Sequence, residues 1–247
     1  MIRKAALLLL PLTLAGGVAL AVAAQRPPAA AMAATKPPAR VAGLVVVELF
    51  TSQGCSSCPP ANEAVAKLVD TRPDVLALTY GVEVWDHLGW ADTNARTPYS
   101  QRQVDYNRSF GKQGVYTPQV VVGGEADLPG TRPGQIESLI AKAGPVPATP
   151  AVTLTADTAT VGAGPAANAK VLLVRYDPRA QRVPIRRGEN GGRTLLHKNV
   201  VRELVVVGQW RGASARYTLP PAKAAGLRTA VLIQDAASGR LLGAAKA

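Results

Sequence analysis

Apolar and polar positions divide the chain into segments of different period. Leu44 to Phe50 is a nearly continuous apolar run containing Val45, Val46 and Val47, which predicts a strand covered on both faces. Thr51-Ser52-Gln53-Gly54 interrupts it. From Pro59 to Val69, the residues Ala61, Val65, Leu68 and Val69 recur at spacings that share one helical face. A second apolar strand follows at Val75–Val82, then a polar helix at Thr97–Phe110, a third strand at Gln119–Gly123 after Thr117-Pro118, and a helix at Pro133–Ala143. Strands alternating with helices predict an α/β layer structure.

Gly144–Pro150 holds three prolines in seven residues and ends that alternation, so a domain boundary is expected there, between residues 41–146 and residues 150–247. Beyond it, Val152–Ala156, Lys170–Tyr176, Val200–Val207, Ala215–Leu219, Thr229–Gln234 and Arg240–Gly243 are short β-prone runs separated by Gly, Pro and Asn. They predict a mostly antiparallel, sandwich-like β domain or an open barrel. Arg182 to Asn199 reads as a long polar loop rich in Gly and Arg, of a length that in compact domains carries function or lacks fixed structure.

The amino-terminal end changes the cellular picture. Arg3 and Lys4 precede an uncharged stretch from Ala5 through Ala24, the layout of a secretory signal over residues 1–24, with Ala21-Val22-Ala23 or Ala31-Met32-Ala33 as the cut. The competing reading is an uncleaved anchor, since about 20 apolar residues span a bilayer. Pro11, Gly16 and Gly17 argue for cleavage. Residues 25–40 are an Ala/Pro-rich linker. The protein is therefore expected to be exported, to a periplasm or beyond. Its 28 basic and 16 acidic residues leave a formal charge of +12, which favours an anionic envelope surface as a partner. With aromatics at 4% and no arginine run flanked by stacking side chains, the composition argues against nucleic acid.

Two cysteines occur in the sequence, Cys55 and Cys58, at C-x-x-C spacing between a predicted strand and a predicted helix. Three residues apart at a helix start, two sulfurs can meet where unpaired N–H groups favour a thiolate. Cys55 is then the nucleophile and Cys58 the resolving thiol, acting on a protein thiol or disulfide or on a redox partner, and no cofactor is required. Three alternatives stand beside this one. The pair can be an inert disulfide, although so short a loop restricts the unfolded chain little. It can hold copper or zinc with His87 and His197, although these lie 29 and 139 residues beyond Cys58. Or the domain can be a binding platform without turnover.

Other residues carry candidate chemistry. Glu48 interrupts the first apolar strand. It is either a buried acid suited to proton transfer or an ordinary charge at a strand end, and period-2 geometry decides between them. Trp85, Asp86, His87 and Trp90 follow the second strand, where α/β folds place ligand-contacting loops, so Trp85, Asp86 and Trp90 can line a peptide groove. Equally, the tryptophans can cover the neighbouring helix. Eleven basic and three acidic residues lie between Lys170 and Arg216. Within that stretch Arg187, Glu189, Asn190, Arg193, His197 and Asn199 can line a second site or dock onto the first domain.

Four segments carry a family resemblance: VELFTSQGCSSCPP at 47–60, VWDHLGW at 84–90, VYTPQ at 115–119 and RGENGGRT at 187–194. From about residue 41 to the end, the chain resembles the DUF1223 family of bacterial secreted proteins, a domain of unknown function placed in the thioredoxin-like superfamily. The resemblance implies a thioredoxin-like α/β domain followed by the β domain. It also implies a cis-proline facing the cysteine pair, with Pro118 in that role, Thr117 before it and Tyr116 beside the groove. Thioredoxins keep a buried acid six residues before the first cysteine, whereas Glu48 stands seven before. Ser56-Ser57 replaces the usual intervening pairs, and Pro59-Pro60 is expected to bias Cys58 away from helical geometry and delay the helix.

Overall fold

Seven consecutive buried residues form β1 (Val45–Thr51), and after the cysteine turn the chain enters α1 (Pro59–Thr71). In the computed structural model, which describes residues 43–247, there follow β2 (Val75–Gly81), α2 (Thr97–Ser109), β3 (Gln119–Val122), β4 (Ala126–Pro129) and α3 (Pro133–Ala143). The second half contributes β5 (Val152–Leu154), β6 (Thr158–Val161), β7 (Ala169–Asp177), β8 (Gln181–Pro184), β9 (Thr194–His197), β10 (Val200–Trp210), β11 (Ala215–Thr218), β12 (Arg228–Asp235) and β13 (Leu241–Lys246). The expected signal and linker at 1–40 lie outside the described residues. Among the described residues, no helix is long and apolar enough to cross a membrane.

Strands from both halves join one eight-stranded mixed sheet, ordered β13-β12-β7-β10-β2-β1-β3-β4. The β1–β2 and β2–β10 pairs are parallel, and the rest are antiparallel. This overturns the expectation of a thioredoxin-like α/β domain followed by a separate sandwich: the fold is mostly β, with three α-helices around a sheet that runs through both halves. The seam is short and specific. Val200 pairs with Thr79, the Thr79 amide donates to the Asn199 carbonyl at 3.0 Å, and Asn199 Nδ2 donates to the Ala77 carbonyl at 2.8 Å. Asn199 turns the chain into β10 with a positive φ of 49°, a conformation that asparagine tolerates better than most residues. Joining the halves there satisfies the edge of β2 and lets one apolar core continue across both.

Alternation along each strand sorts side chains into layers. On one face, Val46, Phe50, Leu76 and Leu78 of the first half pack with Leu172, Val174 and Leu232 of the second, under Tyr99 and Tyr106 of α2. On the other face, Val45, Val47 and Leu49 meet Ala61, Val65 and Leu68 of α1 and Ile136 and Ile140 of α3. There the second half is covered by a three-stranded sheet, β11-β6-β5, packed on Val171, Leu173, Val231 and Ile233. Part of the expected long loop is a hairpin, β8 with β9, and β9 lies against α1.

Candidate functional site

The β1 strand ends at Thr51, and the turn that follows brings Cys55 and Cys58 to the start of α1. The prolines do not delay this helix. Cys58 itself is in the α region (φ −75°, ψ −33°), its carbonyl accepting from Ala61 at 3.0 Å and Asn62 at 3.1 Å. Pro59 and Pro60 occupy the first turn, where their missing N–H groups have no helical partner to lose.

Cys55 and Cys58 are not joined by a disulfide in this structure, and their surroundings are unequal. Cys55 keeps 5% of its surface exposed, Cys58 is sealed at 0%, and the intervening Ser56 and Ser57 are exposed. Cys55 Sγ lies 3.2 Å from Ser57 Oγ and 3.6 Å from the Thr117 carbonyl oxygen. The hydrogen bond from the Cys58 thiol is the largest influence on Cys55. With smaller contributions from Ser57 and Thr117 it outweighs burial and lowers the pKa from 9.0 to about 5. Burial, and then the neighbouring Cys55, hold the Cys58 thiol far above its ordinary range.

The Thr117–Pro118 bond is cis and stands across from the cysteine turn. Trp85 Nε1 donates to Thr117 Oγ1 at 2.7 Å, which fixes the indole beside Cys55. Gly54 permits this approach, since a Cβ there would lie 3.2 Å from both Trp85 Cβ and its carbonyl oxygen. Trp90 Nε1 donates to Gln53 Oε1 at 2.9 Å. Both tryptophans thus bind the cysteine loop and its facing strand. Asp86 accepts the Asp92 amide at 3.0 Å and orders the loop between them. Tyr116 turns its hydroxyl to Asp127 on β4, while its carbonyl accepts from Gln103.

Glu48 is placed elsewhere. Period 2 turns it toward α2, on the side of the sheet opposite α1, where Arg102 Nε and Nη2 donate to its two oxygens at 2.7 and 2.9 Å. Tyr106 donates to it as well. Its one-residue offset from the thioredoxin spacing therefore makes Glu48 half of a buried ion pair. Of the two histidines, His87 is exposed beside Trp85, and His197 is buried on β9 with burial and Arg202 lowering its pKa to about 4. Among the described residues, no three His, Cys, Asp or Glu side chains gather as a metal set requires.

The Arg-rich segment reaches the cysteines. Asn190, fully buried, donates from Nδ2 to the carbonyls of Gln53 at 3.0 Å and Cys55 at 2.8 Å, and the Ser56 amide donates to Glu189 Oε2 at 3.1 Å. Arg193 donates in turn to Asn190 Oδ1 at 2.8 Å. Gly188 lies against Leu88 and Trp90, with a virtual Cβ 3.4 Å from the Leu88 carbonyl. Asn199 belongs instead to the β2–β10 seam.

Residues 46–234 match the family model described as a protein of unknown function, DUF1223. This chain is a member of the DUF1223 family. The DUF1223 chain is similar to the crystal structure of protein AGR_C_4864 from Agrobacterium tumefaciens, with 32% identity, a TM-score of 0.65, and coverage of 82% of this chain and 92% of that one. HBP35 of Porphyromonas gingivalis shares the fold at 18% identity and a TM-score of 0.58, over 83% of this chain and 74% of its own. No curated protein matches.

Sequence reasoning missed two residues at the DUF1223 site. Gln53 spans the cysteine turn and the tryptophan loop, accepting from Trp90 and donating to Thr93 Oγ1 at 3.0 Å. Asp92 is buried, and its two oxygens accept the backbone amides of Gln53 at 2.8 Å and Asn94 at 2.7 Å. Burial, helped by the nearby Asp86, raises its pKa to about 6 against those hydrogen bonds. The only sequence signal for Asp92 is its place two residues after Trp90; nothing local says that the carboxylate is buried.

Proposed function

We propose that this protein exchanges thiols and disulfides with exported proteins or with a redox partner. The observation that carries the reading is the asymmetry of the pair: Cys55, which keeps a sliver of exposed surface and has its pKa lowered to about 5, is backed by a fully buried Cys58 whose proton is held tightly. A low-pKa, accessible thiol attacks, and a sequestered neighbour resolves. The Cys55 thiolate attacks one sulfur of a partner disulfide, forming a mixed disulfide as the partner's own S–S bond breaks. The sulfur that departs takes the Cys58 proton. The Cys58 thiolate then attacks Cys55 Sγ, releasing the second partner sulfur, so the partner gains two electrons and the Cys55–Cys58 pair loses them. In reverse, the oxidised pair makes a disulfide in a partner dithiol. Thr117 and Pro118 form the wall that faces the incoming chain, and Trp85 and Trp90 flank it.

The reading also places the mature protein outside the cytoplasm, as the Arg3-Lys4 and Ala5–Ala24 pattern supports. The test is the reduction potential of the pair, measured in glutathione buffers by trapping free thiols. A value above about −250 mV is expected, because structural disulfides lie below about −300 mV. Cys58→Ser accumulates mixed disulfides, and Cys55→Ser accumulates none. A potential below about −300 mV with no trapped partner overturns the reading.

A further inference from the structure

The surface beside Cys55 already holds a carboxylate. Glu189 crosses from the β8–β9 hairpin, 133 residues away in sequence, to accept the exposed Ser56 amide in the middle of the C-x-x-C turn. The hairpin tip that carries it is rigidly built: Ile185 donates to the Arg193 carbonyl at 2.8 Å, Gly192 to the Ile185 carbonyl at 2.9 Å, and Asn190 pins the tip to Cys55. The same tip presents three exposed guanidiniums, Arg186, Arg187 and Arg193. Arg193 is bound to Asn190, the residue that holds the Cys55 carbonyl, so its charge stands one side chain from the reacting turn. Among the described residues, neither Arg186 nor Arg187 appears in a salt bridge. Glu189 itself is exposed, and its hydrogen bond to Ser56 lowers its pKa, so it is an ionised occupant with free access to water.

From this arrangement we infer that the Ser56 amide and the arginines of the 186–193 tip form a subsite for a carboxylate carried next to the reacting sulfur, which Glu189 fills until a substrate replaces it. The inference rests on the exchange reading and adds its substrate class: cysteine segments flanked by Asp or Glu. Guanidiniums suit this role because they remain charged and grip carboxylates through paired donors. A displaceable internal carboxylate keeps the turn's donor satisfied between encounters.

The test compares two short peptides, each with one cysteine blocked as a mixed disulfide with 2-mercaptoethanol, the cysteine flanked by Asp in one and by Lys in the other. Reduced protein converts each to free peptide thiol and 2-mercaptoethanol as Cys55–Cys58 oxidises. The acidic peptide is expected to react about tenfold faster at low salt, the lower end of electrostatic steering, and the ratio to shrink as salt is added. Replacing Arg186, Arg187 and Arg193 by Ala moves the ratio toward one. Glu189→Gln, which removes the competing occupant, raises the rate with the acidic peptide. A ratio of one or below in the unaltered protein overturns the subsite while the exchange reading stands. If neither peptide reacts, the exchange reading fails. The subsite is then decided by direct titration with the acidic peptide carrying serine for cysteine: salt-sensitive binding lost on replacing the arginines supports it, and no binding overturns it.

Discussion

Glu48 and Asp92 are both buried carboxylates, and their surroundings teach opposite lessons. Glu48 sits under α2 with a guanidinium on both oxygens and a tyrosine hydroxyl besides, and Arg102 is further held by Gln234 at 2.8 Å. Every member has a partner of matching chemistry, so this side of the sheet is locked. Asp92 has no cation among its hydrogen-bond partners. Its oxygens rest on two backbone amides, burial works against its charge and the nearby Asp86 adds a charge of like sign, so ionisation there costs free energy at neutral pH. The locked carboxylate supports the sheet. The unpaired one supports the cysteine turn, through Gln53.

The largest expected effect breaks the locked side. Arg102→Ala leaves the buried Glu48 without its guanidinium partner and should lower unfolding free energy by about 3–5 kcal/mol, read from denaturant midpoints. If the two sides are separate, the pH midpoint of Cys55 alkylation stays near 5 in whatever fraction remains folded. A change confined to stability is the expected pattern, and a large shift in that midpoint breaks the comparison.

Next comes the cysteine turn itself. Asn190→Ala takes its side-chain donor from the carbonyls of Gln53 and Cys55, the latter keeping the Cys58 amide at 3.2 Å, at about 1–3 kcal/mol. It should also speed hydrogen exchange around residues 53–56, which Arg102→Ala at an equal loss of stability should not do selectively. Uniform exchange behaviour in both variants would count against a separate loop anchor.

Asp92→Asn sharpens the contrast through pH. The folded pKa of Asp92 is raised above its unfolded value, so its contribution to stability is fully present below about 4 and is lost as pH rises through about 6. Relative to the wild type, the Asn variant should therefore gain on the order of 1–3 kcal/mol between pH 4 and pH 7. It also gives up one of two accepted hydrogen bonds, a constant offset across that range. Parallel stability–pH curves for the two proteins would sink the assignment.

The smallest effect concerns Ser57. Its hydroxyl is a secondary support of the Cys55 thiolate, after the Cys58 thiol, so Ser57→Ala should raise the alkylation midpoint, and Cys58→Ala should raise it further. The reverse ranking would show that the hydroxyl, not the second thiol, holds the charge.

Much of the fold was legible where neighbouring residues decide it. The α3 helix falls on Pro133–Ala143 as read from periodicity, and β1, α1, β2 and α2 agree within two residues at each end, because their apolar spacing reports burial directly. The strands that escaped notice, β4, β6, β8 and β9, are four residues each and mostly polar or mixed, and two of them form the exposed hairpin over α1. Such short strands exist because a partner offers them hydrogen bonds, and composition carries little trace of that. The break at Gly144–Pro150 is real in the sequence, yet the sheet continues past it, since proline-rich connections end elements without preventing later strands from returning to pair.

By itself the sequence determined the local geometry of the cysteine pair: two cysteines three residues apart, after a strand and ahead of a helix whose first turn accepts Pro59 and Pro60. Only the tertiary structure decided what surrounds them. Whether Glu48 meets Arg102 or the thiols depends on which face of β1 each helix covers. Whether Thr117, Asp92 and Asn190 reach the turn depends on contacts that close loops of up to 137 residues. Those contacts form only when the whole sheet is assembled, because each orders backbone whose entropy a single hydrogen bond does not offset. Local spacing placed the sulfurs and supplied the Cys58 and Ser57 contacts that lower the Cys55 pKa, and long-range pairing added the Thr117 carbonyl across the turn.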